Sequence, residues 1–253
     1  TGLKKEVLKD LPDKIEKNMA ACMEQKQKEL YHAHAQRLAL MLQNQTEEEF
    51  ADSRFQVLSE LTRLRQLCCD PALVYENYEG GSAKLDLCIE LIQSAVESGH
   101  KILLFSQFTS MIEILTARLQ EESISCFVLQ GSTKKEQRAQ MVEQFNRDDT
   151  SVFCISLKAG GTGLNLTGAD IVIHYDPWWN VAVENQATDR AHRIGQKNVV
   201  TVYKLIAKGT IEEKIIKLQQ MKKELAEEIL SGDEIKTASF QREELLELLE
   251  ERF

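Results

Sequence analysis

The sequence predicts an α/β fold: a mainly parallel β-sheet with helices on both faces, set between two helical flanks. Three observations point to it. Short β-rich apolar runs alternate with helical stretches through the middle of the 253-residue chain. Those runs are apolar at nearly every position, as strands buried on both faces require. The two flanks instead carry apolar residues at helical spacing. Together these are the marks of βαβ units with helical extensions.

The elements follow in order. Leu11-Pro12 breaks the chain before a polar, Lys/Glu-rich run that reads as helical to about Gln45. Residues 46–53 (TEEEFADS) read as a connector. Phe55, Leu58, Leu61, Leu64 and Cys68 recur at steps of three and four, one apolar helix face, and Pro71 stops that helix. The Gly-containing segment YENYEGGS (75–82) is the domain boundary. Leu85, Ile89, Ile92 and Val96 mark a helix ending at Gly99. Strands are expected at 101–105, 124–129, 151–156, 170–175 and 199–206, with helices over about 108–120 and 134–146 and one ending near Gly195. Thr210 and Glu213 read as a capping box that opens a helix with a stripe of Ile211, Ile215, Leu218, Met221, Leu225 and Ile229, closed by Gly232. A further acidic amphipathic segment covers about 240–250. The domains are therefore 1–80, 81–209 and 210–253.

Bulk properties exclude some functions. No apolar run approaches a membrane span and no signal-peptide pattern opens the chain, so an intracellular, membrane-free protein is expected. It begins at Thr1 without methionine and reads as a piece of something longer. The six cysteines form no C-x-x-C pair, and His32 and His34, two apart, point to different sides of a helix; no metal site is expected. Net charge is −9, of which residues 1–82, 83–209 and 210–253 hold −3, −1 and −5. A nucleic-acid reader is usually basic, so bulk charge argues mildly against one, yet the near-neutral middle leaves room for local basic strips.

In parallel sheets ligands bind at the carboxyl ends of strands, so the loops there carry the candidates. Gly131-Ser132-Thr133 precedes a helix; Thr133 and Glu136 read as a capping box, and the free amides with Lys134 suit either an anion or a plain helix start. The loop 158–165 places three glycines within four residues beside Lys158 and Thr162. It is neither a Walker A loop nor a dinucleotide fingerprint, since position 166 is leucine. Asp176-Pro-Trp-Trp-Asn180 follows the fourth strand. If Asn180 caps a helix running to Gly195, then Gln186, Arg190 and Arg193 share one face. Two neighbouring guanidiniums require an anion between them, either an internal carboxylate such as Asp189 or Glu184, or a phosphate.

LLFSQFTSM (103–111), LQGSTKKEQR (129–138), SLKAGGTGLNLTGAD (156–170), DPWWN (176–180) and QATDRAHRIGQ (186–196) occur in that order. This set resembles the C-terminal RecA-like lobe of the Swi/Snf group of superfamily 2 helicase-like ATPases, double-stranded DNA translocases that include chromatin remodellers. LPDKIE (11–16) and LTRLRQLCCDPAL (61–73) resemble the segments joining the family's two lobes, and 210–230 the helix that braces them. The resemblance implies a RecA-like three-layer fold and an ATP hydrolase. It implies Arg190 and Arg193 as arginine fingers, with Gln186, Gly163 and Asn165 at the nucleotide. Gln107, Gly131, Ser132, Thr133, Lys158, Gly160, Gly161, Thr162 and Trp178 then face the DNA backbone or couple it to the lobes. Implied partners are double-stranded DNA without sequence preference and the N-terminal lobe of the same monomer. Val181 stands where the family often has proline. A larger departure is the missing Gly-Lys-Ser/Thr and Asp-Glu-x-His, which belong to the family's first lobe, ending here near Leu3–Glu16. ATP and Mg2+ would thus be held mainly by that lobe, and this chain alone would not turn over ATP. Two other readings stay open: a stand-alone nucleotide-binding domain built on 158–165, and a protein-interaction module built on 210–250. The compact, uninterrupted lobe leans towards prokaryotic relatives, with the cytoplasm or nucleoid, rather than the nucleus, as its place.

Overall fold

A computed structural model describes residues 11–159, 163–228 and 241–250. In chain order the elements are β1 (Lys14–Ala21), α1 (Gln25–Gln43), α2 (Glu47–Asp52), α3 (Arg54–Cys69), α4 (Ala83–Glu97), β2 (Ile102–Ser106), α5 (Thr109–Glu121), β3 (Cys126–Leu129), α6 (Lys135–Arg147), β4 (Val152–Ser156), β5 (Ile171–His174), α7 (Val181–Thr188), β6 (Val200–Ala207), α8 (Ile211–Glu228) and α9 (Arg242–Leu249). They divide into two compact units. One holds the described residues up to Met19 with Leu85–Leu205, the other Ala20–Lys84 with the described residues from Ile206 on.

The first unit is a RecA-like α/β layer built on a sheet of order β1-β6-β5-β2-β4-β3. The pairs β2–β4, β2–β5, β3–β4 and β5–β6 are parallel. The amide of Val200 donates to Asp13 and that of Lys208 to Ala21, so β1 runs the same way. Strands β2, β4 and β5 are buried at every position, which explains their unbroken apolar runs. Phe105, Phe145, Phe153, Leu166, Ala187 and Ala191 belong to one core cluster with the strand side chains. From β2 the chain moves outward to β3 and β4, then returns past β2 to β5 and β6. The reversal opens a crevice between the carboxyl ends of β2 and β5, where such sheets bind ligands.

The second unit packs α1, α3, α8 and α9 together. At its centre is a buried ion pair. Lys84 donates to both Glu212 carboxylate oxygens (2.7 Å to Oε2), and the Ala207 amide donates to Oε1 at 2.8 Å. Both side chains are fully shielded from solvent. Burial alone would push the Lys84 ammonium towards neutrality, but the facing Glu212 charge reverses this and raises its pKa.

Several expectations need correction. Lys14–Ala21 is an edge strand, not the start of a helix: its side chains are mostly exposed, so no apolar pattern announces it, and pairing beside β6 supplies its order. The connector at 46–53 contains the short helix α2, opened by a capping box of Thr46 and Glu49. On α3 the buried face runs through Val57, Leu61, Leu64 and Cys68, while Phe55 and Leu58 are exposed. The Thr133 box does not form. Lys134 caps α6 without a side-chain bond, and the Thr133 hydroxyl instead accepts from the Gln130 amide at 3.1 Å. The Thr210 box is displaced by one residue, its hydroxyl accepting from Glu212 and Glu213 accepting from Gly209. Leu225, Ile229 and Gly232 fall outside the described side chains. As read from sequence, α3 ends before Pro71 and α4 before Gly99, whose φ of +80° suits glycine.

Candidate nucleic-acid and nucleotide interface

The sheet order turns the candidate loops into a row. After β5 comes Trp178, after β2 Gln107, after β4 Lys158 and after β3 Gly131–Thr133. The registers Ser106↔Ser156 and Phe105↔His174 bring these strand ends level. All of these residues therefore share the carboxyl edge of one sheet.

Two buried carboxylates fix the crevice between β2 and β5. Asp176 accepts from the Ser106 hydroxyl at 2.5 Å and from the Gln107 amide at 3.2 Å. It thereby ties the turn after β2 to the turn after β5. The Gln107 side-chain nitrogen is buried without a hydrogen-bond partner among the described residues. Glu184 on α7 accepts from the Trp178 amide at 2.7 Å and pairs with Lys204 of β6 at 3.0 Å. Asn180 caps α7 through the Ala182 amide, as its sequence position implies. His174 stacks on Phe105 with ring centroids 5.6 Å apart and meets the Thr188 hydroxyl at 3.1 Å. Burial pushes its pKa down to about 4, so it is neutral at pH 7.

The arginines do not lie on one helix face with Gln186. Helix α7 stops at Thr188, and Arg190 and Arg193 sit in the turns that follow. Arg190 is buried, its guanidinium carbon 5.5 Å from the Phe105 ring centroid, and burial lowers its pKa. Arg193 is exposed. It donates to the Leu164 carbonyl at 3.3 Å and makes no ion pair among the described residues. Gln186 is exposed on α7. Gly163, with φ of +98°, and Asn165 are exposed as well. Gly160, Gly161 and Thr162 lie outside the described residues.

The turn bearing the arginines is held from below by Gln196. Its side-chain nitrogen donates to Ala169 (2.8 Å), Ala191 (3.0 Å) and Thr167 (3.3 Å), and its oxygen accepts from the Lys197 and Asn198 amides at 3.0 Å. The Leu166 amide also donates to the Arg190 carbonyl at 2.9 Å. The arginine turn is thus stapled to residues 164–169, the stretch that follows the glycine loop.

In sequence and fold the chain matches known proteins. Residues 83–195 match the family described as "Helicase conserved C-terminal domain", and residues 2–73 match "SNF2-related domain". The isolated C-terminal domain of a SWI2/SNF2 ATPase from Sulfolobus solfataricus superposes with a TM-score of 0.75 at 32% identity, over 95% of this chain and 100% of that one. The chain belongs to the SWI2/SNF2 ATPase family. The core of the Sulfolobus SWI2/SNF2 ATPase in complex with double-stranded DNA gives a TM-score of 0.73 at 34% identity, over 89% of this chain and 48% of that one. An uncharacterised ATP-dependent helicase of Mycoplasma pneumoniae is 41% identical over 98% of this chain and 24% of its own length. The chain thus spans about a quarter of the length of that relative.

Sequence reading missed several residues that build the site: Asp176, Glu184 as partner of Trp178 and Lys204, His174, Gln196 and Arg138. The signal for Asp176 is its place directly after a strand. Among the described residues, no three or more His, Cys, Asp or Glu side chains gather as a metal site, and no helix is long and apolar enough to cross a membrane.

Proposed function

We propose that this chain is the second motor lobe of an ATP-dependent double-stranded DNA translocase. Residues 81–209 act as the lobe, 1–80 as the end of the first lobe with its linking helices, and 210–253 as the brace and acidic tail. The observation that carries the reading is the row Trp178, Gln107, Lys158, Gly131–Thr133 along one sheet edge, with the arginine turn stapled behind it.

The residues fit a phosphate-bearing partner. Arg193 and Lys158 are exposed cations, and neither makes an ion pair among the described residues. Arg190 lies deeper, against Phe105, where it would hold the turn and offer a second guanidinium. ATP would supply the phosphoryl group whose transfer drives the motor. Arg193 and Arg190 would stabilise the charge that develops there, a contribution of about 10³–10⁵ in rate for such fingers. Gln186, Gly163 and Asn165 would border the nucleotide. With no Gly-Lys-Ser/Thr sequence here, the first lobe would hold most of the ATP and the Mg2+, and this chain alone would be inactive.

On the DNA side, the amides and hydroxyls of Gly131, Ser132 and Thr133, the Lys158 ammonium and the 160–162 backbone would grip phosphates. Gln107 and Trp178 would transmit lobe closure to that grip. Phosphate contacts carry no base information, so binding should be sequence-independent and weaken with salt. Titration of duplexes of unrelated sequence at two salt concentrations tests this. Equal affinities that fall together support it; an affinity indifferent to salt contradicts it.

A further inference from the structure

We infer that Arg138 is a positioning residue that sets the spacing between the two loops of the DNA face. The inference rests on the DNA reading above. Arg138 lies in the first turns of α6, and its guanidinium spends its donors on backbone carbonyls from two separate loops. Nε donates to Thr133 at 2.8 Å, and Nη2 to Gly131 at 3.1 Å and Gln130 at 3.3 Å. Nη1 reaches across to Ala159, after β4, at 2.8 Å. It makes no ion pair among the described residues.

The loops it joins follow β3 and β4, neighbours in the sheet, and hold Ser132 and Thr133 on one side and Lys158 on the other. Each loop also has its own local bonds. The Thr133 amide donates to Gln130, and the Ala159 amide to Ser156, both at 3.0 Å. Among the described residues, Arg138 is the side chain that bonds to both loops. Phosphates along a strand are regularly spaced, so groups on two loops grip together only if their separation is fixed. A planar fork with five donors can hold two loops at once; an ammonium with the same charge cannot span them.

This predicts an asymmetry that a direct phosphate contact would not give. In the intact ATPase that carries this chain, Arg138→Met and Arg138→Lys should both raise the DNA concentration for half-maximal ATPase stimulation by about tenfold, about 1.4 kcal/mol of coupling. The kcat at saturating DNA should stay within about twofold, because the arginine turn is untouched. The dependence of DNA affinity on salt should keep its slope, since no phosphate contact is removed. Amide hydrogen exchange at 131–133 and 157–159 should rise together in both variants. Arg138→Lys behaving as wild type, or a salt slope reduced by about one, would mean that the charge itself meets a phosphate and would overturn the inference. Unchanged half-stimulation in Arg138→Met would overturn it as well. A wild type that ignores duplex DNA would instead bring down the motor reading, and this role with it.

Discussion

Gln196 offers the sharpest test of how the fold holds the arginine turn. Gln196→Glu is nearly isosteric. It keeps the oxygen that accepts from the Lys197 and Asn198 amides, but replaces the nitrogen that donates to Thr167, Ala169 and Ala191. Two N–H donors shared among three carbonyls are lost, each full bond worth about 0.5–1.5 kcal/mol net. An oxygen then faces three carbonyl oxygens in a site where Gln196 is only 6% exposed. The expected loss is about 3–4 kcal/mol, measurable by urea or guanidinium denaturation of the chain. Because the lost bonds tie 189–195 to 164–169, DNA-stimulated ATPase of the intact protein should fall even where the variant remains folded. A stability within about 0.5 kcal/mol of wild type would refute the staple, since that is no more than the low end for a single bond.

Other tests address burial and charge elsewhere. His174 has a folded pKa of about 4 against an unfolded value near 6.5. The unfolded chain therefore takes up the proton first, and stability is lost as pH falls from about 6.5 towards 4; between pH 7 and pH 5 the loss should be about 2 kcal/mol. Denaturation midpoints at the two pH values check this, and His174→Phe should remove that part of the slope. For Lys84 and Glu212, either Lys84→Met or Glu212→Leu leaves one buried charge unpaired and should cost about 3–5 kcal/mol. The double variant should recover much of that loss in a double-mutant cycle; simple additivity would contradict the pairing.

How much of this could be read from sequence follows from where each signal resides. β2, β4 and β5 were legible because burial on both faces leaves an unbroken apolar run, as in ILLFS and VFCIS. β1 was not, because an exposed edge strand keeps polar residues on both faces and gains its order from its neighbour. The end of α7 was hidden for a related reason. Residues 181–195 have helical composition, but Gln196 draws the turn after Thr188 onto the 164–169 backbone, which competes with continuing the helix. Motif order located the strand-end loops, and the topology places them side by side. The residues that hold those loops were silent. Asp176, Gln196 and Arg138 act through contacts with distant segments, and nothing in their local spacing encodes a partner about 20 to 70 positions away.

The central claim is that Arg193, exposed and without an ion pair among the described residues, serves another lobe's nucleotide. The most direct test is Mg2+-dependent ATP hydrolysis by the intact protein, with and without double-stranded DNA, for wild type and Arg193→Ala. The expected result is DNA-stimulated hydrolysis in the wild type and a loss of about 10³-fold or more in the variant, with ATP binding retained. Hydrolysis unchanged by the substitution would make Arg193 a structural residue and contradict the account.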